Sequence, residues 1–204
     1  WEDTRTQEQK MTATNPFFEI SLLPYQAPHF DEINDSHYRP AFDEALRQKR
    51  ADIDAIVSQT TAPDFTNTVL ALEKSGAMLT RVNSVFFAMT SAHTNAYLQE
   101  LEEQFSTELA ALANDIWLND TLFARVESVW QDRAALDAES RRLVEETYQR
   151  FILAGARLNE TEKTELKALN TEAASLTSQF NQRLLAADKA GGLVVDYAHQ
   201  LDGL

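Results

Sequence analysis

His29, His37, His93 and His199 are the four imidazoles in the sequence, and a metal centre or general base would draw on them first. A helical di-iron centre needs Glu-x-x-His pairs facing inward. The residues three before these histidines are Gln26, Asn34, Thr90 and Asp196, so that pattern does not occur. Nor does His-Glu-x-x-His, which sets two imidazoles on one helix face around zinc. There is no cysteine, which removes thiolate ligands, thiol nucleophiles and disulfides. With imidazoles this scattered, no metal or cofactor is expected in the segment.

Other chemistry fares no better. Glu102-Glu103 and Glu145-Glu146 are acidic pairs, but adjacent helical residues point about 100° apart and do not converge on one substrate. They are expected on solvated helix faces. Arg141-Arg142 has the charge to clamp a carboxylate, yet pairing with Asp137, Glu139 or Glu145 is the simpler expectation. Gly191-Gly192 stands alone and stops a helix rather than cradling phosphate, and no Gly-x-Ser-x-Gly elbow is present. No catalytic, cofactor-binding or metal residue is assigned.

The whole-chain charge narrows the partners. Acidic residues outnumber basic ones 32 to 18, for a formal net charge of -14. That field repels phosphate backbones and anionic headgroups, so neither nucleic acid nor membrane is an expected partner. No apolar run approaches the roughly 20 residues of a membrane span. A cytoplasmic location suits the lack of cysteine. Trp1–Lys10 reads as a tag or disordered extension ahead of Met11, and is left out of the fold.

With 44% hydrophobic residues and five each of Gly and Pro, the composition favours long helices around one core. From Thr12 to Ser36, Pro16, Pro24 and Pro28 forbid a regular helix, while Phe17, Phe18, Leu22, Leu23, Tyr25 and Phe30 predict an extended arm packed on something. Helix one is expected over Arg39–Ser58, with Pro40 at its start. Asp64 or Thr66 caps the second helix, which bends at Gly76. Leu98 to Ile116 is the clearest amphipathic run. Asn119 or Asp120 caps the next helix, and the one from Ala138 to Ala154 ends on Gly155. Phe86, Phe87, Phe105, Phe123, Trp130, Phe151 and Phe180 are expected in the core.

Asn159 and Glu162 open the last helix as a capping box. Leu166, Leu169, Ala173, Leu176, Phe180 and Leu184 then form a near-heptad seam that predicts an antiparallel partner within the chain, or else a dimer. Leu193-Val194-Val195 is long enough for a short strand. The expected fold is all-α: about six helices in a bundle or stacked hairpins, over residues 11–204 as one unit.

Five local patterns, in order, resemble the amino-terminal region of thimet-oligopeptidase-type zinc peptidases, and of their bacterial peptidyl-dipeptidase branch in particular. They are Asn15-Pro-Phe with Leu23-Pro-Tyr and Pro28-His-Phe-Asp-Glu-Ile; His37-Tyr-Arg-Pro-Ala-Phe; Phe65-Thr-Asn-Thr-Val-Leu-Ala-Leu-Glu73; Phe151-Ile-Leu-Ala-Gly-Ala-Arg-Leu158; and Leu176-Thr-Ser-Gln-Phe-Asn181. The likeness runs from Met11 to Leu204.

The resemblance implies a longer parent that removes dipeptides from the carboxyl ends of oligopeptides. There, a zinc-bound water activated by a glutamate would attack the peptide carbonyl. The zinc motif lies later in such proteins, so the resemblance implies that this segment is inactive alone and cut short of its parent. Its implied role is an amino-terminal lobe that walls a channel, with the oligopeptide and a catalytic lobe as partners. An apolar patch is then expected where that lobe docks. A stand-alone, non-catalytic helical module that binds peptide or protein is the alternative.

Overall fold

The computed structural model describes residues 15–191 and Tyr197. Trp1–Lys10, Met11, His199 and the expected Leu193–Val195 strand lie outside them. Among the described residues every regular element is helical.

The arm from Asn15 is anchored at its start. Asn15 is buried and donates from Nδ2 to the His37 carbonyl (2.9 Å), while the Phe17 ring lies 5.6 Å from Tyr38. Packing along the whole arm, expected from its apolar content, does not occur: Ile20, Leu22, Leu23, Tyr25 and Phe30 are exposed. A 3-10 turn at Pro24–Gln26, with Tyr25 and Gln26 at φ 61° and 57°, lies within this exposed stretch.

Helix α1 spans Asp35–Val57, starting a turn before the expected Arg39. Asn34 Oδ1 accepts the Ser36 N–H (3.2 Å), and His37 Nδ1 accepts the Asn34 N–H (3.2 Å). These reciprocal bonds satisfy donors that a helix start leaves free, and so support the extra turn. Pro40 therefore lies inside α1 and gives no N–H to the Ser36 carbonyl.

Asp64 caps the next segment, accepting the Asn67 N–H (2.7 Å) while Asn67 Oδ1 accepts the Asp64 N–H (3.0 Å). A π-helical turn, Phe65–Leu70, runs into the short α2, Ala71–Lys74. The chain then breaks, where the sequence predicts only a bend. Ser75 is extended and Gly76 is left-handed at φ 74°, before α3 begins at Ala77 and runs to Ala92. Helix α1 meets the freed groups: Lys49 Nζ donates to the Ser75 carbonyl (3.2 Å), and Asp52 Oδ2 accepts the Gly76 N–H (3.0 Å).

Asn95 caps α4, Ala96–Trp117, and Asn119 caps α5, Asp120–Gln131. Helix α6, Ala138–Leu153, ends on Gly155 at φ 96°. There the Gly155 N–H reaches the Ile152 carbonyl (3.1 Å) and the Ala156 N–H reaches that of Phe151 (3.0 Å), a Schellman pair. Asn159 and Glu162 then cap α7, Glu160–Gly191, through two 3.0 Å bonds.

Helix α1 is central and packs on α3, α4 and α5, with α6 paired to α5. Phe42 of α1 stacks on Phe105 of α4 at 3.7 Å between ring centres, beside the fully buried Phe86. Val69, Val129 and Val144 form a smaller cluster under the π-helical turn.

Helix α7 reverses its expected orientation. Leu169, Leu176, Phe180 and Leu184 are 61%, 56%, 64% and 51% exposed, so the apolar seam faces outward and Phe180 is not core. The two residues that α7 buries are Lys163 and Ser178. The reason lies in α4, which has already committed Leu98, Leu101, Phe105, Leu112 and Ile116 to the bundle. Its remaining side is polar, and α7 lays a polar side against it. Asn170 Nδ2 donates to Asn114 Oδ1 (2.7 Å), and Gln179 Nε2 to Glu103 Oε1 (3.1 Å). Further along, Gln182 Nε2 donates to the Gln99 carbonyl (2.9 Å).

Candidate functional surface

The described histidines are dispersed over the fold. His37 is occupied as a capping side chain, His93 ends α3, and His29 lies on the arm. Among the described residues no three or more His, Cys, Asp or Glu side chains group to hold a metal ion. These residues do not fit a zinc site, and no chemical step is assigned through one.

The acidic pairs are split by helix geometry, though not only onto solvated faces. Glu103 accepts from Ser175 Oγ (3.3 Å) and Gln179 inside the α4–α7 contact. Its neighbour Glu102 has its carboxyl pushed up by burial. Glu145 meets Arg133 at 3.3 Å, and Glu146 pairs with Arg142. Arg141 instead donates to the Leu136 carbonyl (3.0 Å), so the expected partners Asp137, Glu139 and Glu145 hold neither arginine of that pair.

A groove of about 900 Å³ lies between α1, α3, α4 and α6. Leu79, Leu112 and Trp117 give it apolar walls, with Lys49, Asn83 and Arg150 among the polar lining. Burial pulls the Lys49 ammonium below its ordinary value. The Arg150 guanidinium lies over the Trp117 ring at 4.2 Å, and the buried Asn83 Oδ1 accepts no hydrogen bond. Leu79 and Leu112 fall on apolar helical stripes, and that periodicity gives no signal that they enclose a groove. Shape of this kind depends on how four helices meet.

The patterns that carried the family resemblance have visible structural duties. Asn15-Pro-Phe and His37-Tyr are joined by the Asn15 bond and the ring contact. Asn67, in the Phe65–Glu73 pattern, accepts from the buried Arg125 at 3.0 Å, which also reaches the Gln59 carbonyl at 3.2 Å. Phe151 is wholly buried just ahead of the Gly155 cap, whereas Leu176 and Phe180 lie on the outward stripe.

Over nearly its whole length the chain is similar to dipeptidyl carboxypeptidases and, at lower identity, to oligopeptidases. It is 67% identical to the dipeptidyl carboxypeptidase of Salmonella typhimurium, over 94% of this chain and 28% of that protein. Against the Escherichia coli dipeptidyl carboxypeptidase the identity is 65%, over 95% of this chain and 29% of the relative. Oligopeptidase A of Escherichia coli is 22% identical over 94% of the chain and 28% of its own length. The chain thus spans less than a third of these curated relatives. It matches no protein-family profile. No helix among the described residues is long and apolar enough to cross a membrane.

Proposed function

We propose that residues 11–204 form the amino-terminal, non-catalytic lobe of a zinc-dependent peptidyl-dipeptidase that acts in the cytoplasm. The lobe forms one wall of the channel through which an oligopeptide reaches a metal held elsewhere in the polypeptide. The observation that carries this reading is 67% identity over 94% of the chain to a dipeptidyl carboxypeptidase. The lobe's contribution is steric and positional. A rigid helical wall admits a thin peptide, rejects a folded domain and holds the backbone in line for attack. Bond breaking belongs to the catalytic lobe, which with the oligopeptide substrate is the partner of this segment.

The test is a graft that replaces the matched region of the Salmonella typhimurium dipeptidyl carboxypeptidase with this chain. The graft is expected to release C-terminal dipeptides from an N-blocked tetrapeptide and to lose that activity on chelation. The isolated chain, with zinc added, is expected to release none. A folded but inactive graft, or an active isolated chain, would overturn the reading.

A further inference from the structure

Helix α7 is amphipathic, but its two faces are arranged against the usual order. The polar side is packed on α4, and the apolar side is turned to solvent as a row of Leu169, Leu176, Phe180 and Leu184 with Ala173 between. Steps of three and four residues keep such a row in line only along another helix, into which each side chain inserts as a knob. Contiguous apolar surface of this kind marks a contact site. From the surface of α7 and the lengths of the relatives, and resting on the function proposed above, we infer that this stripe seats a helix from the part of the peptidase polypeptide outside this chain.

Three observations favour that occupant over a second copy. The chain matches 28% of the Salmonella typhimurium relative, so most of that protein's length lies outside the match and is available as a partner. Each copy carries a net charge of -14, so self-association brings two strongly acidic bodies together. The stripe is also small. Four large side chains offer a few hundred Å², against the roughly 1,200–2,000 Å² that stable contacts between separate molecules bury. A helix on the same polypeptide needs less, because its linkage raises the effective concentration. The seated helix carries apolar residues at heptad spacing. It also carries basic residues beside Glu165 and Glu172, which are exposed along one flank of the row.

The sequence contains no cysteine, so Leu176→Cys or Phe180→Cys puts a single native-chain thiol on the stripe. Maleimide labelling of each position is read by mass spectrometry of its own peptide, in the isolated chain and in the graft described above. Labelling is expected to be fast in the isolated chain. In the graft it should be at least about tenfold slower, because reaction then waits for the seated helix to open. Hydroxyl-radical footprinting of Phe180 in the unsubstituted proteins should show the same protection without any substitution in the stripe. An active graft that labels quickly at both positions overturns this inference and leaves the proposed function standing. A folded graft that is inactive yet protected overturns the function instead. A dimeric isolated chain with slow labelling assigns the stripe to a second copy and overturns the inference. A graft that does not fold counts against both, since 67% identity predicts interchangeable contacts.

Discussion

Gly155 sits at φ 96°, and a Cβ there would lie 2.8 Å from Leu158 Cδ1 and 2.9 Å from Leu166 Cδ2. Gly155→Ala should lower stability by roughly 2 kcal/mol, from backbone strain and crowding together, as a shift of the urea midpoint. Glu44 gives a pH effect. Hydrogen bonds from Arg47 and then Gln48 hold its carboxyl well below the usual value of 4.5, at about 2. A depressed folded value means that the contribution is complete above pH 4.5 and is lost as the pH falls through about 2. Glu44→Gln should therefore flatten the acid limb of the stability curve between those values and leave its shape near neutrality unchanged. The size should be small, since the group is partly solvated. Caps such as Asp64, Asn119, Asn159 and Gly155 were legible in the sequence because their partners lie within a few residues. The break at Ser75-Gly76 was not, because Lys49 and Asp52, which stabilise it, come from another helix.

Between elements, the α4–α7 contact makes a prediction opposite to one based on hydrophobicity. Asn114 is buried and exchanges bonds with Asn170 and the Lys167 carbonyl (3.4 Å). Asn114→Ala should cost about 1–3 kcal/mol by leaving those groups unpaired. Leu176→Gln with Phe180→Gln should change the isolated chain's stability by no more than about 0.5 kcal/mol each, because both are solvated. Chemical unfolding followed by circular dichroism separates the two cases; if the glutamines cost more than the alanine, the outward stripe is misplaced. Periodicity located α4 and α7 and their apolar faces correctly. It put the apolar row of α7 against an antiparallel partner within the chain, whereas the chain covers the polar face, because a heptad row specifies a helical partner without specifying whose.

At the scale of the molecule, the all-α architecture followed from scarce Gly and Pro and from regular apolar steps, with α1 as the hub that those steps could not rank. The candidate surface was less legible: a groove is a property of four helices together, and walls such as Leu79 and Leu112 read in sequence as ordinary apolar helix positions. The polar seat of α7 has a consequence for how the protein opens. Water can replace side-chain hydrogen bonds one by one, whereas Phe42 on Phe105 and their neighbours must be exposed all at once. The amide protons of residues 169–184 should therefore trade for deuterium through a partial, low-energy excursion while those of α1 and α4 wait for global unfolding. Equal rates across all three helices would show that the long helix is locked to the bundle more tightly than its contacts suggest.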